Sequence, residues 1–215
     1  MPPTIHYVSV FNKEDTLIPQ SDLIDLEYAQ TKCPVHNHKQ SRTFVATSPI
    51  DFSLSIDRSN NKISCSRPEL LEYDDEHINS PKPVMQLVFP KFLFYTEEDN
   101  IWFEFNDHPM TALKNNFIAI SGWFNLSNWS RASSTAITLV DEKRCVIIEK
   151  GDPLFRVSFY PPNLDDSIVL KKETNTEVVN QWVEAHSKIT EQDWRPRLFS
   201  KTKTESKCPF SFLFK

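Results

Sequence analysis

The alternation of apolar and polar residues along the chain predicts a protein built mainly of β-strands. Phe52, Leu54 and Ile56 are separated by polar residues, and residues 101–105 and 155–159 repeat the same pattern. Strict alternation is typical of a strand with one buried and one solvated face. Four denser apolar runs indicate strands covered on both faces. These runs are residues 83–95, 117–124, 136–140 and 144–149.

Asn, Asp and Pro separate the predicted strands, because the chain has only two glycines, Gly122 and Gly151. Their scarcity excludes the glycine-rich dinucleotide-binding and phosphate-binding loops and the nucleophile elbow. We expect Gly151 to close a tight turn, with positive φ, between strands 144–149 and 154–160. Pro90 interrupts an apolar run, which predicts a bulge or a sheet edge at that residue.

Short strands separated by turns predict a two-sheet sandwich or jelly-roll-like barrel, with one C-terminal helix and a short basic tail. The helix is predicted over residues 174–189, where Thr174 and Glu177 have the spacing of a capping box. We therefore expect a β-rich domain over residues 1–172, with the helix and tail of 173–215 packed on that same domain.

The charge is distributed unevenly over a chain whose net charge is -5. Residues 195–215 hold six Lys and Arg against Glu205 alone, so the tail is basic and the body acidic. Residues 210–215 are apolar enough to add as one strand to a sheet edge. We expect a protein partner, or self-association, through this tail, and no membrane contact. Nucleic acid or carbohydrate is the less favoured partner.

The cysteines and the N-terminal residues indicate a cytoplasmic protein, in the host cytoplasm or the virion if the protein is viral. The start of the chain lacks the basic and apolar segments of a signal peptide. The four cysteines form no Cys-x-x-Cys pair, which favours the reduced state. Cys145 lies inside the apolar run 144–149 and is predicted to be a buried strand thiol.

Cys33, His36 and His38 form a local group of possible metal ligands. In an extended segment, His36 and His38 would point to the same face, as a metal site requires. The polar residues around them favour a solvated loop, so we expect neither a metal nor a cofactor. The alternative is a metal-dependent enzyme on a double-stranded β-helix that uses these three residues.

Aromatic residues close to amides and guanidinium groups give a second group of candidates. Such side chains could stack on sugar rings or bases, or anchor a protein interface. The plainer interpretation is that the tryptophans lie at the margin of a large core. No serine, cysteine or lysine has a recognisable nucleophile context, so no catalytic residue is predicted. The candidate binding residues are Trp102, Trp123, Trp129, Arg131, Trp194, Arg195 and Arg197.

Residues 146–160, together with Ser-Gly-Trp-Phe-Asn at 121–125, resemble small, uncharacterised β-rich proteins of tailed phages and their hosts. The resemblance implies a viral or accessory β protein, and it transfers no residue role. We therefore expect a non-enzymatic binding or assembly protein, such as a phage structural or accessory factor. The alternatives are the metal-dependent enzyme above and a carbohydrate- or nucleic-acid-binding module that uses exposed tryptophans.

Overall fold

The computed structural model describes residues 2–10, 17–19, 38–60, 62–72, 81–126, 132–174, 177–178 and 181. These residues form strands in three sheets, with little helix. The strands are β1 (Thr4–Ser9), β2 (Leu17–Pro19), β3 (Thr43–Thr47), β4 (Phe52–Asp57), β5 (Lys62–Cys65), β6 (Leu71–Glu72), β7 (Val84–Tyr95), β8 (Trp102–Asn106), β9 (Phe117–Ala119), β10 (Gly122–Asn125), β11 (Ser133–Leu139), β12 (Val146–Ile148), β13 (Pro153–Tyr160) and β14 (Val169–Lys172).

The first sheet has the strand order β14–β1–β7–β11–β9, with β6 paired to β7. The second has the order β10–β8–β13–β3–β2, and the third the order β12–β4–β5. Helical segments include a 3-10 turn at Pro68–Leu70, the short helix α1 at Pro109–Leu113, and residues 38–40. The fold is mainly β and of the sandwich or jelly-roll-like type, which confirms the predicted fold class.

Phenylalanines from the first two sheets meet in the core. Phe94 of β7 lies 5.4 Å from Phe103 of β8 and 5.3 Å from Phe159 of β13, measured between ring centroids. Phe92 of β7 lies 6.4 Å from Phe155 of β13. These rings pack edge-on or tilted, as aromatic quadrupoles favour. The sheets are therefore held together by the inward-facing members of the alternating strands.

The expectation that the dense apolar runs are covered on both faces is wrong at several positions. Ile118 on β9 and Ile147 on β12 are exposed, as are Ile120 and Val140 beside the strands. The physical reason is that β9 and β12 are the last strands of their sheets, as far as the described residues extend. Apolar content thus does not distinguish a covered strand from one at a sheet edge.

Pro90 lies in β7, where the pairing with β11 shifts register. Ser133 faces Phe92, whereas Thr135 faces Leu87, so β7 carries extra residues around the proline. Proline cannot donate to the ladder, and a bulge removes the need for that donor. The predicted bulge is confirmed.

Gly151 has a φ of +94°, as predicted for its turn. The two strands on either side do not pair with each other, which corrects the expected hairpin. β12 pairs with β4 in the third sheet, whereas β13 pairs with β3 and β8 in the second. The turn at Gly151 therefore connects the third sheet to the second. The Gly151 N–H donates to the carbonyl of Ser48 at 2.7 Å in this turn.

Cys145 is exposed and has a free thiol, so the expectation of a buried strand thiol is wrong. β12 begins one residue later, at Val146, after the turn that contains Asp141 and Arg144. The local sequence pattern predicted that this strand begins at residue 144, whereas β12 begins at Val146. Cys145 therefore lies before the strand, where its side chain faces the solvent.

The predicted C-terminal helix and tail lie almost wholly outside the described residues. Glu177, Val178 and Gln181 are helical. The domain division at residue 173, the strand at 210–215 and the partner contact through the tail therefore stay predictions. Within the described part of the chain, no helix is long and apolar enough to cross a membrane.

Candidate functional site

The outer face of the second sheet carries two rows of functional side chains at matched register. Trp123 of β10 faces Glu104 of β8, which faces Ser158 of β13. In the second row, two residues further along these strands, Trp102 of β8 lies opposite Tyr160 of β13. Since side chains alternate between faces along a strand, these residues share the face opposite the phenylalanine core. Directly opposite residues are about 4.5–5.5 Å apart at Cβ, so the rows form one continuous surface.

Three aromatic rings on this face form what we call the aromatic shelf, namely Trp102, Trp123 and Tyr160. The ring centroids of Trp123 and Tyr160 are 4.7 Å apart, and those of Trp102 and Trp123 are 6.1 Å apart. Trp102 is 38% exposed and Trp123 is 53% exposed. Large apolar rings that remain this open to water provide a stacking surface for a planar group.

A carboxylate borders the shelf. The Tyr160 hydroxyl donates to Oε2 of Glu104 at 2.7 Å. Burial, and next the hydrogen bond to Glu104, raise the pKa of Tyr160 to about 12, so the hydroxyl keeps its proton at neutral pH. Oε1 of Glu104 accepts no hydrogen bond from the described residues and can accept one from a ligand, although the charge of Arg156 also acts on this carboxylate.

A cation lies at the other side of Tyr160. The Cζ atom of Arg42 is 5.9 Å from the centroid of the Tyr160 ring, within the range of a cation–π contact. The carbonyl of Arg42 accepts from the N–H of Phe159 at 3.0 Å, and the hydroxyls of Thr43 and Ser158 are 2.9 Å apart. These bonds fix the start of β3 against β13 and so hold Arg42 beside the shelf.

A separate buried polar cluster follows β8. Oδ1 of Asp107 accepts from the hydroxyl of Thr111 at 2.5 Å and from the N–H of Ala119 at 3.0 Å. Nδ1 of His108 caps α1 by accepting from the N–H of Met110 at 3.2 Å. Burial, followed by the nearby charge of Arg156, lowers the pKa of His108 to about 4. This cluster joins α1 to the sheets with a neutral imidazole.

The structure brings together two of the predicted binding residues, Trp102 and Trp123. The others lie outside the described residues, and their role stays a prediction: Trp129, Arg131, Trp194, Arg195 and Arg197.

Of the three possible metal ligands, only His38 lies in the described part of the chain. It is exposed and helical, which differs from the extended segment in which His36 and His38 would share a face. Its Nδ1 is 3.4 Å from Nη2 of Arg42 and accepts the hydrogen bond, because a guanidinium only donates. Cys33 and His36 lie outside the described residues, so the expectation that these three residues bind no metal stays a prediction. The described residues contain no group of three or more possible metal ligands.

Glu104, Tyr160 and Arg42 were not predicted from the sequence. Glu104 occupies a polar-face position within the alternation recognised at residues 101–105, and Tyr160 lies one residue beyond the alternation recognised at 155–159. Their face could have been inferred from that alternation. Arg42 directly precedes a strand and gives no comparable local signal.

Comparisons with known proteins give distant similarities. No protein-family model matches the chain, and no curated protein matches it. The dUTPase of EIAV is similar with a TM-score of 0.40 and 8% identity, over 73% of this chain and 88% of that one. A mutant dUTPase from phage phi11 of S. aureus gives 0.35 and 11%, over 58% and 80%. A mutant dUTPase of Staphylococcus bacteriophage 80alpha gives 0.35 and 11%, over 70% and 83%.

The expectation of a non-enzymatic binding or assembly protein is contradicted by these comparisons. All three similar structures are dUTPases, which are enzymes, and two of them come from phages. At these TM-scores and identities, the matches do not assign an activity to this chain.

Proposed function

We propose that the chain is an enzyme that binds a ring-bearing substrate on the aromatic shelf and transfers a proton to Glu104. The observation that carries the proposal is the placement of a carboxylate and three aromatic rings on adjacent register positions of β8, β10 and β13. A stacking surface with a hydrogen-bonding group at its border is what a small ring such as a nucleobase or a sugar requires.

Binding would begin with stacking on Trp123, the most exposed ring of the shelf. Stacking of a base on an aromatic side chain contributes about 1–3 kcal/mol. The contact with Tyr160 at 4.7 Å and the strand pairing restrict the ring of Trp123 before a ligand arrives. Because the side chain is already restricted in the free protein, it loses less conformational entropy when a ligand binds.

The chemical step would use Glu104 as a general base. Its Oε2 accepts a hydrogen bond from the Tyr160 hydroxyl, and Oε1 accepts none from the described residues. As a water adds to the substrate, its proton would pass to Oε1, the bond between the substrate and its leaving group would break, and the leaving group would take up that proton. Tyr160, whose pKa is about 12, remains a donor throughout and keeps the carboxylate oriented. Positioned general bases contribute about 10²–10⁴-fold to the rate.

The proposal is tested by titrating the protein with nucleosides, nucleotides including dUTP, and monosaccharides. Quenching of tryptophan fluorescence reports binding to the shelf, and chromatography of the same mixtures reports turnover. We expect at least one class of ring compound to quench the fluorescence and to be converted to a product. If no class does either, the proposal is wrong.

Two variants separate binding from chemistry. Trp123→Ala should weaken binding about 5- to 100-fold, which corresponds to the stacking contribution. Glu104→Gln keeps an acceptor for Tyr160, so it should bind normally and lose about 10²–10⁴-fold in turnover. Ile147→Ala is a matched control, since Ile147 is exposed on the third sheet and should change neither quantity. Full turnover in Glu104→Gln would contradict the assigned role.

We also propose that the protein acts in a cytoplasm. The thiols of Cys65 and Cys145 are free, although Cys145 is open to the solvent. Free exposed thiols are stable in a reducing compartment, which supports this location.

A further inference from the structure

Arg42 is a buried cation with unused donors. The residue is 6% exposed, and its Nε and Nη1 are buried without a hydrogen-bond partner among the described residues. Among the described residues, the guanidinium has one hydrogen bond, that of Nη2 with Nδ1 of His38 at 3.4 Å. A guanidinium has five N–H donors and is always charged at physiological pH. Buried charges are ordinarily paired, because an unpaired one is costly to desolvate.

No carboxylate of the described residues pairs with Arg42. Glu104 on the outer face accepts a hydrogen bond from Tyr160 instead. Lys39 and His38 lie next to Arg42 in the chain and are exposed, so the surroundings on this side are basic or neutral. The missing partner is therefore an anion that the described chain does not supply.

The unused donors lie close to the shelf. The guanidinium is 5.9 Å from the centroid of Tyr160, whose ring contacts Trp123. A group that stacks on the shelf and extends past Tyr160 would reach Arg42. Nδ1 of the exposed residue His38 lies 3.4 Å from Nη2 of Arg42, so this end of the guanidinium is next to a surface residue.

We propose that Arg42 binds an oxyanion, a phosphate or a carboxylate, that is covalently attached to the ring stacked on the aromatic shelf. This inference rests on the proposed function and narrows the substrate to acidic ring compounds. Hydrogen bonds between a guanidinium and an oxyanion are among the strongest in proteins and restore the partner that the buried charge lacks. Neutral sugars and nucleosides would leave that charge unpaired.

The test compares ring compounds that differ only in the anionic group. Adenosine is compared with adenosine 5′-monophosphate, and glucose with glucose 6-phosphate and glucuronate, all by tryptophan fluorescence. We expect the acidic member of at least one pair to bind about tenfold or more tightly than the neutral one. Whether the phosphate or the carboxylate gives the larger gain identifies the source of the oxyanion.

Variants of Arg42 assign the gain to this residue. Arg42→Gln should remove the preference for the acidic member, and Arg42→Lys should keep part of it. Arg67→Gln makes the same change of charge at an exposed arginine and should leave the preference intact. In the absence of ligand, Arg42→Gln should also raise the melting temperature by about 2–4 °C, because it removes an unpaired buried charge.

The outcomes separate this inference from the proposed function. If a neutral ring binds as tightly as its acidic counterpart, and Arg42→Gln changes nothing, the inference fails and the shelf proposal stands. If no ring compound binds at all, both fail. If inorganic phosphate alone binds at Arg42 as tightly as the phosphorylated ring, the anion site is independent of the shelf and the inference is overturned.

Discussion

On the inner face of β8 and β13, Phe103 and Phe159 are fully buried, whereas on the outer face of the same strands Trp102 is open to water. The inner rings contact other phenylalanines, with centroids such as those of Phe94 and Phe159 5.3 Å apart. The outer rings lie beside a carboxylate and a guanidinium. One pair of strands therefore contributes to the core on one face and, on our proposal, to a binding surface on the other.

The difference shows why aromatic content alone did not reveal a site. Burial of an aromatic ring stabilises the fold whichever polar groups lie nearby. An exposed ring beside polar groups that lack hydrogen-bond partners has a different consequence. A ligand that stacks on the ring can form hydrogen bonds with those groups. The two faces can be separated by mutations that act on one and spare the other.

The largest effect on stability is expected on the inner face. Phe103→Ala should lower the free energy of unfolding by about 3–5 kcal/mol, since it leaves a cavity among Phe94, Phe124 and Phe159. Urea denaturation monitored by circular dichroism measures the change. Phe103→Leu, which conserves most of the volume, is the control and should cost less than about 1.5 kcal/mol. Equal losses in both variants would contradict the packing account.

An intermediate effect is expected at His108, which lies just beyond the end of β8. Its pKa is about 4 in the folded chain and 6.5 in its ordinary state, so the unfolded chain binds the extra proton first. The stability that the neutral imidazole provides is complete above pH 6.5 and is lost as the pH falls toward 4. The charged groups that face it are Arg156 and Asp107. We expect a loss of about 1–3 kcal/mol over this interval.

His108→Asn keeps a side-chain acceptor for the N–H of Met110 but has no titrating ring. Urea denaturation between pH 4 and 7 should give a flatter dependence of the free energy of unfolding for the variant than for the natural chain. Parallel curves for both proteins would mean that carboxylates alone account for the loss.

The smallest effect on stability is expected on the outer face. Trp123→Ala removes the contacts with Trp102 and Tyr160 but exposes little that was buried, so it should cost about 1 kcal/mol or less. Thermal and urea denaturation of this variant and of Phe103→Ala, run side by side, compare the two faces directly. A loss at Trp123 as large as that at Phe103 would show that the shelf is part of the core.

The local pattern of the sequence determined the β class, the bulge at Pro90 and the positive φ of Gly151. Each depends on a residue and its near neighbours: alternation has a period of two, proline lacks an N–H, and glycine lacks a Cβ. The same reasoning selected Trp102 and Trp123 as candidates, because both are conspicuous in the chain.

Only the tertiary structure decided which strands are neighbours. The strands that flank Gly151 pair in different sheets, and apolar strands such as β9 lie at an edge, because strand order follows the packing of the whole chain. Arg42, Glu104 and Tyr160 come from three strands or their ends and meet through register. Alternation shows on which face of its own strand a side chain lies. Which residue lies beside it on that face is set by pairing with strands that are distant in the sequence. The candidate site is composed of such pairs, so it became visible only in the folded chain.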